Sequence, residues 1–192
     1  MELIQILKDF EGIIGAVLGS VATLVTTYCL QHRGKLKNYS IEYIARFQTF
    51  KDVGCGMKGK EDKDIYGYSI RYRFEIYNGY DYPRVVRKFL LDFYRNKKLV
   101  FSEVPKDELT RIYNHHISHA ENSELANIPS HEIMAFDQSV YLMYSDESFN
   151  KLDGITRVEL SYLDENDKKR TIIISEDPII IPKVKKKNGD SI

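Results

Sequence analysis

Tyr68-Ser69-Ile70-Arg71-Tyr72-Arg73-Phe74-Glu75-Ile76 alternates large apolar and polar side chains without a break. Successive side chains of a strand point to opposite faces. Tyr68, Ile70, Tyr72, Phe74 and Ile76 therefore share one face, and Ser69, Arg71, Arg73 and Glu75 the other, the mark of a half-buried strand. Outward from this stretch the pattern repeats. Asn78-Gly79 reads as a turn, Val85 to Tyr94 as a strand, Asn96-Lys97-Lys98 as a second turn, and Leu99 to Ser102 as the returning strand. Upstream, Tyr39 to Phe50 is rich in β-branched and aromatic residues. Downstream, Glu132 to Phe136 and Ser139 to Tyr144 read as two short strands. Thr156 to Leu163 and Lys169 to Ser175 form a hairpin across Asp164-Glu165-Asn166-Asp167. Lys106 to Tyr113 is the one segment that reads as helical within this region.

Seven or eight short strands with polar turns predict a mostly β domain over residues 38–181. Its expected form is an antiparallel β-sandwich of immunoglobulin-like architecture, with a small β-barrel as the alternative. The chain has no Trp and only two Cys, so the Cys–Trp–Cys hallmark of antibody domains is absent and the term describes architecture alone. The long irregular stretch from Glu103 to Pro129 is the expected place for a site, because such connections commonly carry function.

Ahead of the β domain, residues 12–31 contain no charge, and a helix of about 20 residues crosses a hydrocarbon core of roughly 30 Å. A secretory signal would carry a basic region before its apolar core. Here Glu2, Asp9 and Glu11 outweigh Lys8, while Arg33, Lys35 and Lys37 follow the run. The reading is a single transmembrane α-helix over 12–31, after a short tail at 1–11 and before a basic juxtamembrane linker at 32–37. Leu3, Ile6, Leu7 and Phe10 recur at helical spacing and either extend the span or lie in the interface. Basic residues flank spans on the cytoplasmic side. Arg33, Lys35 and Lys37 thus predict an amino terminus outside the cell membrane and a cytoplasmic β domain. Cys29 lies within the span, which leaves Cys55 without a disulfide partner in the β domain and agrees with a reducing compartment.

Within the span, Gly15 and Gly19 form a GxxxG, and Gly12, Ala16, Ser20 and Thr23 continue the small-residue stripe. Small residues four apart let helix backbones approach closely, so this face is expected to support self-association in the lipid bilayer. The layout of a short span and a small β domain resembles that of some bacterial antiviral membrane effectors. That resemblance implies a cytoplasmic domain that senses a ligand or partner and drives assembly of the helix.

Chemistry-bearing motifs are few. Gly54 to Gly59 spells GxGxxG, yet charged residues and a strand follow it where a dinucleotide site needs a helix, so no cofactor is expected. His115, His116 and His119 with Glu121 and Glu124 are the densest group of metal-ligand types, but their spacing fits no zinc motif and no metal is expected. Arg71, Arg73, Arg84, Arg87 and Lys88 are grouped as a candidate anionic-ligand patch on neighbouring strands. Residues 182–192, with Lys183, Lys185, Lys186 and Lys187, read as a basic flexible tail. With 28 basic and 28 acidic residues the chain is neutral, which speaks against nucleic acid. The expectation is a non-enzymatic interaction module for an unidentified protein or small anionic ligand, with the membrane effector as the alternative.

Overall fold

The computed structural model describes residues 2–31, 33–54, 61, 64–114 and 117–182. Helix α1 (Glu2–Gln31) comes first. Eleven strands follow: β1 (Leu36–Thr49), β2 (Ile65–Asn78), β3 (Arg84–Arg95), β4 (Lys98–Glu103), β5 (Lys106–Asp107), β6 (Ile112–Asn114), β7 (Ile117–His119), β8 (Leu125–Ile128), β9 (Ile133–Met143), β10 (Arg157–Leu163) and β11 (Lys169–Ser175). The helix starts at Glu2, so residues 2–11, expected as a tail, continue it. The segment Gly12–Cys29 has the length and composition of a candidate span, and none of it is buried by the other described residues.

The strands make two antiparallel sheets packed face to face. One has the order β1-β2-β9-β5 and the other β11-β10-β3-β4. Strand β8 lies beside β4 on the same edge of β3, pairing with Arg84–Arg87 while β4 pairs with Leu91–Arg95. No ladder joins the two sheets among the described residues, which makes the domain a sandwich and not a barrel. Strand β2 is the spine. It pairs with β1 along nearly its whole length and with β9 from Gly67 to Tyr77. Its inner side chains Tyr68, Ile70, Tyr72, Phe74 and Ile76 are buried against Val86, Phe89, Leu91 and Phe93 of β3 and Leu160 and Tyr162 of β10. Phe74 stacks on Phe136 with centroids 4.8 Å apart.

Two expectations need correction. Glu132 to Tyr144 is one strand, β9, instead of two. Asp137 and Gln138, which break the apolar pattern, are held by partners: Asp137 by Arg71, and buried Gln138 by the Tyr72 hydroxyl, which donates to its Oε1 at 3.0 Å. Lys106 to Tyr113 is not a helix beyond the 3-10 turn Glu108–Thr110, because its ends are drawn into ladders with β9 and β7. Strand β3 carries a left-handed residue at Lys88 (φ 54°), a kink that sets Val86 and Phe89, three apart, both into the core.

The turns follow the residues that favour them. Asn96 and Lys97 both take positive φ (49° and 68°), the two-residue hairpin geometry whose twist suits β3 and β4. Asn78 is fully buried, and its amide donates to the carbonyls of Tyr82, Ile128 and Pro129 while accepting from Tyr80 N–H. The linker lies against this end of the sandwich: Gly79 N–H donates to the Lys35 carbonyl at 3.1 Å, and a Cβ on Gly34 would sit 2.5 Å from the Tyr80 ring.

Burial along β2 sets the first prediction. Phe74→Ala lowers unfolding free energy by about 3–5 kcal/mol, whereas Ser69→Ala on the outer face changes it by about 0.5 kcal/mol or less. Urea unfolding of the detergent-solubilised chain, followed by tyrosine fluorescence, measures both. Equal costs would contradict the inward and outward assignment of β2.

Candidate functional site

The outer face of the first sheet is concave. Its floor is Ser69 and Arg71 of β2, Ser139 and Tyr141 of β9, and Ile44 and Arg46 of β1. The segment from Glu103 to Ala120 forms the opposite wall, and the cleft between them holds about 840 Å³. The pairing register creates this floor. Arg71 stands opposite Ser139 and Arg73 opposite Asp137. The Arg71 guanidinium therefore reaches diagonally and grips the Asp137 carboxylate with two bonds, Nε to Oδ1 at 2.8 Å and Nη2 to Oδ2 at 2.7 Å. That bond holds the Asp137 carboxyl below its usual range.

Arg111 builds the wall. Its Nε donates to Glu108 Oε2 at 2.6 Å, its Nη2 to Glu108 Oε1, and its Nη1 to Ser118 Oγ at 3.0 Å. Glu108 also accepts from Ser139 Oγ, which ties the wall to β9. The Arg111 bond, then that of Ser139, depresses the Glu108 carboxyl as well. Asp107 caps the 3-10 turn through Leu109 N–H, and Thr110 Oγ1 accepts from Glu121 N–H. Above these fixed points the β6–β7 hairpin stands clear of the sandwich. Leu109, Ile112 and Tyr113 are 69%, 68% and 80% exposed. Ile44 and Tyr141 face the same space from the floor, and burial pushes the Tyr141 hydroxyl up to about 12.

The five basic residues grouped from the sequence do not form one patch. Arg71 and Arg73 belong to the first sheet, while Arg84, Arg87 and Lys88 lie on β3 of the second. Two of the latter, Arg84 and Arg87, are also neutralised locally. Arg84 is buried, pairs with Glu165, and lies 3.6 Å over the Tyr80 ring. Arg87 pairs with Asp167 at 2.7 Å. The acidic turn between β10 and β11, read from the sequence as a simple hairpin turn, is the counter-charge. Lys88 sits at the β3 kink, with its N–H bonded to the Glu124 carbonyl.

Other expected residues are placed as follows. Gly12, Gly15 and Gly19 have nothing within 4 Å of a built Cβ, so the small-residue face of α1 is uncovered. Ser20 and Thr23 turn their hydroxyls back onto the Ala16 and Gly19 carbonyls at 2.8 Å, which leaves contact across this face to close packing. Arg33, Lys35 and Lys37 lie beside Tyr77, Gly79 and His131 at the linker end of the sandwich. His119 lines the cleft, and no metal-binding group occurs among the described residues. His115, His116, Cys55 to Gly59 and Lys183 to Lys187 lie outside the described residues. The segment expected to carry a site, 103–129, contributes to the cleft wall, whereas Glu108, Arg111 and Tyr141 are not singled out by the sequence. Only the length of that stretch without a strand pattern marks it.

Comparison with known proteins follows this geometry. Residues 34–175 match the family described as the YopI Ig-like domain. The SPbeta prophage-derived uncharacterized protein YopI of Bacillus subtilis (strain 168) is 32% identical over 174 residues, covering 90% of this chain and 97% of that protein. That alignment is longer than everything from residue 34 to residue 192, so it takes in part of α1. Among solved structures, the putative ApaA protein from Bordetella pertussis is 11% identical at a TM-score of 0.33, covering 79% of this chain and 97% of its own. The apo PmoF2 PCuAC domain is 8% identical at a TM-score of 0.31, covering 74% and 93%. Scores that low do not establish a shared fold.

The cleft's ion pairs give a signed pH prediction. Because the folded Asp137 carboxyl is depressed, its contribution is complete above the ordinary carboxylate range and is lost as pH falls through the folded value. Arg71 is largely exposed, so Asp137→Asn costs only about 1 kcal/mol at pH 7. The difference from wild type fades as pH falls below the ordinary carboxylate range toward the folded value. Urea midpoints followed into acid measure it, and a cost that grows in acid would contradict the pairing.

Proposed function

The chain belongs to the YopI Ig-like domain family, and from that premise we propose a non-enzymatic interaction module, anchored in the cell membrane by α1, that binds a protein partner in the cleft beneath the β6–β7 hairpin. One observation carries this reading: Arg71 and Arg111, which line the cleft with Arg46 and Lys106, are already neutralised by Asp137 and Glu108, while its rim exposes Tyr113, Ile112 and Leu109. A small anion binding at Arg71 or Arg111 would have to displace an intramolecular carboxylate. A protein segment gains instead by burying aromatic and apolar side chains ringed by Arg, the composition that dominates binding energy at interfaces. Carboxylates held ionised by guanidinium groups suit fixed ion pairs better than acid–base chemistry. The basic flank Arg33, Lys35 and Lys37 supports a cytoplasmic sandwich and an external amino terminus.

A second reading, a membrane effector that assembles through α1, is favoured by the uncovered Gly12, Gly15, Ala16 and Gly19 face. The relative's prophage-derived name suits a chain carried by a mobile element. Growth arrest on expression that disappears in the Gly15→Leu/Gly19→Leu double variant supports this reading; unchanged toxicity ends it.

Two measurements test the module. In alkaline carbonate the full chain stays with the membrane pellet, and in a Cys29→Ala background an impermeant thiol reagent labels Cys55 only after the cells are opened. Release into the supernatant, or labelling from outside, overturns the anchoring or its orientation. A photo-crosslinking residue at Tyr113 captures a discrete protein in native membranes, and one at Ile173, on the outer face of the second sheet, does not. Tyr141→Ala reduces the Tyr113 adduct about tenfold. Equal capture at both positions would sink the cleft as the binding site.

A further inference from the structure

Strand β1 forms one edge of the first sheet, and among the described residues the side away from β2 bonds to no other strand. An uncovered edge is a template for another strand, and proteins usually blunt it with Pro, a bulge or crowded charge. Beyond the irregularity between Tyr39 and Glu42, β1 is regular to Gln48 and contains no Pro. Its outer face carries Glu42, Ile44 and Arg46, and Ile44 is 71% exposed. Neither Glu42 nor Arg46 is in ion-pair contact among the described residues, although Glu42 stands opposite Arg73 on β2 and Arg46 lies near Asp52. On the inner side, Tyr43 bonds to Asp177 and Ser175, and a groove separates β1 from residues 175–180.

We propose that β1 pairs antiparallel with β1 of a second copy of this chain, about a two-fold axis through Ile44, continuing the first sheet across both molecules. The charge pattern selects this partner and this register. In a two-fold antiparallel pair, residues placed opposite one another share a face, so the register moves only in steps of two. Centred on Ile44, it sets Glu42 of each chain against Arg46 of the other and Ile44 against its copy. On the inner face it sets the small Ala45 against the large Tyr43. Moving the centre to Glu42 or to Arg46 places like charges directly opposite, and centring on Tyr43 or Ala45 leaves both charges facing neutral residues. Opposite charges across strands stabilise the pairing and like charges oppose it.

A contact of about five residues a side is weak in dilute solution. Confinement to one membrane raises the effective concentration, so the pairing belongs to the anchored chain. The inference shares with the proposed function that anchoring and the side chains of Ile44 and Arg46, which also line the cleft floor; carbonate extraction separates loss of anchoring from loss of pairing. At about 3.3 Å per residue, the two Leu36 residues lie roughly 50 Å apart. The helices of one β1 pair therefore do not touch, and the small-residue faces of α1 remain open.

The test uses the full chain in membranes with Cys29→Ala and Cys55→Ala. Ile44→Cys places two thiols across the axis at a Cα separation of about 4.5–5.5 Å, within disulfide range. Mild oxidation yields a covalent dimer. Glu42→Arg or Arg46→Glu alone lowers the cross-linked fraction about fivefold, and the two together restore it, because the exchanged charges again oppose. Gly15→Leu/Gly19→Leu leaves the yield unchanged. The proposal is overturned by absence of the disulfide, by equal cross-linking from Ile173→Cys, by a single charge reversal without effect, by a double reversal that fails to restore pairing, or by dependence on the glycine pair.

Discussion

Every other element takes its place from the double pairing of β2. A strand bonded on both sides over most of its length cannot slip, because a shift of one residue would turn Tyr68, Ile70, Tyr72, Phe74 and Ile76 out to water together. The same constraint fixes the opposite face. With Phe74 packed on Phe136, Arg71 has to stand against Ser139 and within reach of Asp137. One face of β2 is thus the core and the other the floor of the cleft. No separate element is needed to position the floor of the candidate site.

Charge neutrality at the level of the chain is repeated at the level of neighbours. Arg71 with Asp137, Arg111 with Glu108, Arg87 with Asp167 and Arg84 with Glu165 are each local pairs. Asp92, buried on the outer side of β3, takes Lys169 and the Ser102 hydroxyl. Such pairs add little stability at the surface, and their effect is to occupy these four guanidinium groups against a diffusible anion. Against that background the exposed Ile44 of β1 and the exposed apolar rim of the hairpin stand out among the described residues.

The sequence carried the strand pattern because alternation is local: each of β1, β2, β3, β10 and β11 is legible within a dozen residues. The hairpin turns were legible for the same reason. What escaped depends on partners far away in the chain. Asp137 and Gln138 look like a break in β9 until Arg71 and Tyr72, some 66 residues distant, are brought beside them. Arg84 and Arg87 look like a positive patch until the acidic turn at Glu165 and Asp167 folds over them. Arg111 is one more exposed arginine in sequence, and it becomes the pin of the hairpin only because Glu108 is itself held to Ser139. Composition gives the charges of such groups and not their pairing.

The linker restricts how far the sandwich can stand from α1. Five Cα-to-Cα steps lead from Gln31 to Leu36, a reach of about 18 Å at most. The Gly79 to Lys35 bond and the approach of Gly34 to Tyr80 shorten it further. The Asn78 network makes that end of the sandwich stiff, since one buried amide joins the β2–β3 turn to the end of β8. From this clasp β1 runs on, through the irregularity between Tyr39 and Glu42, to the cleft floor at Ile44 and Arg46. A contact in the cleft is therefore coupled to the linker end of the sandwich through a single hydrogen-bonded strand, which makes β1 the element that joins the candidate site to the approach of α1.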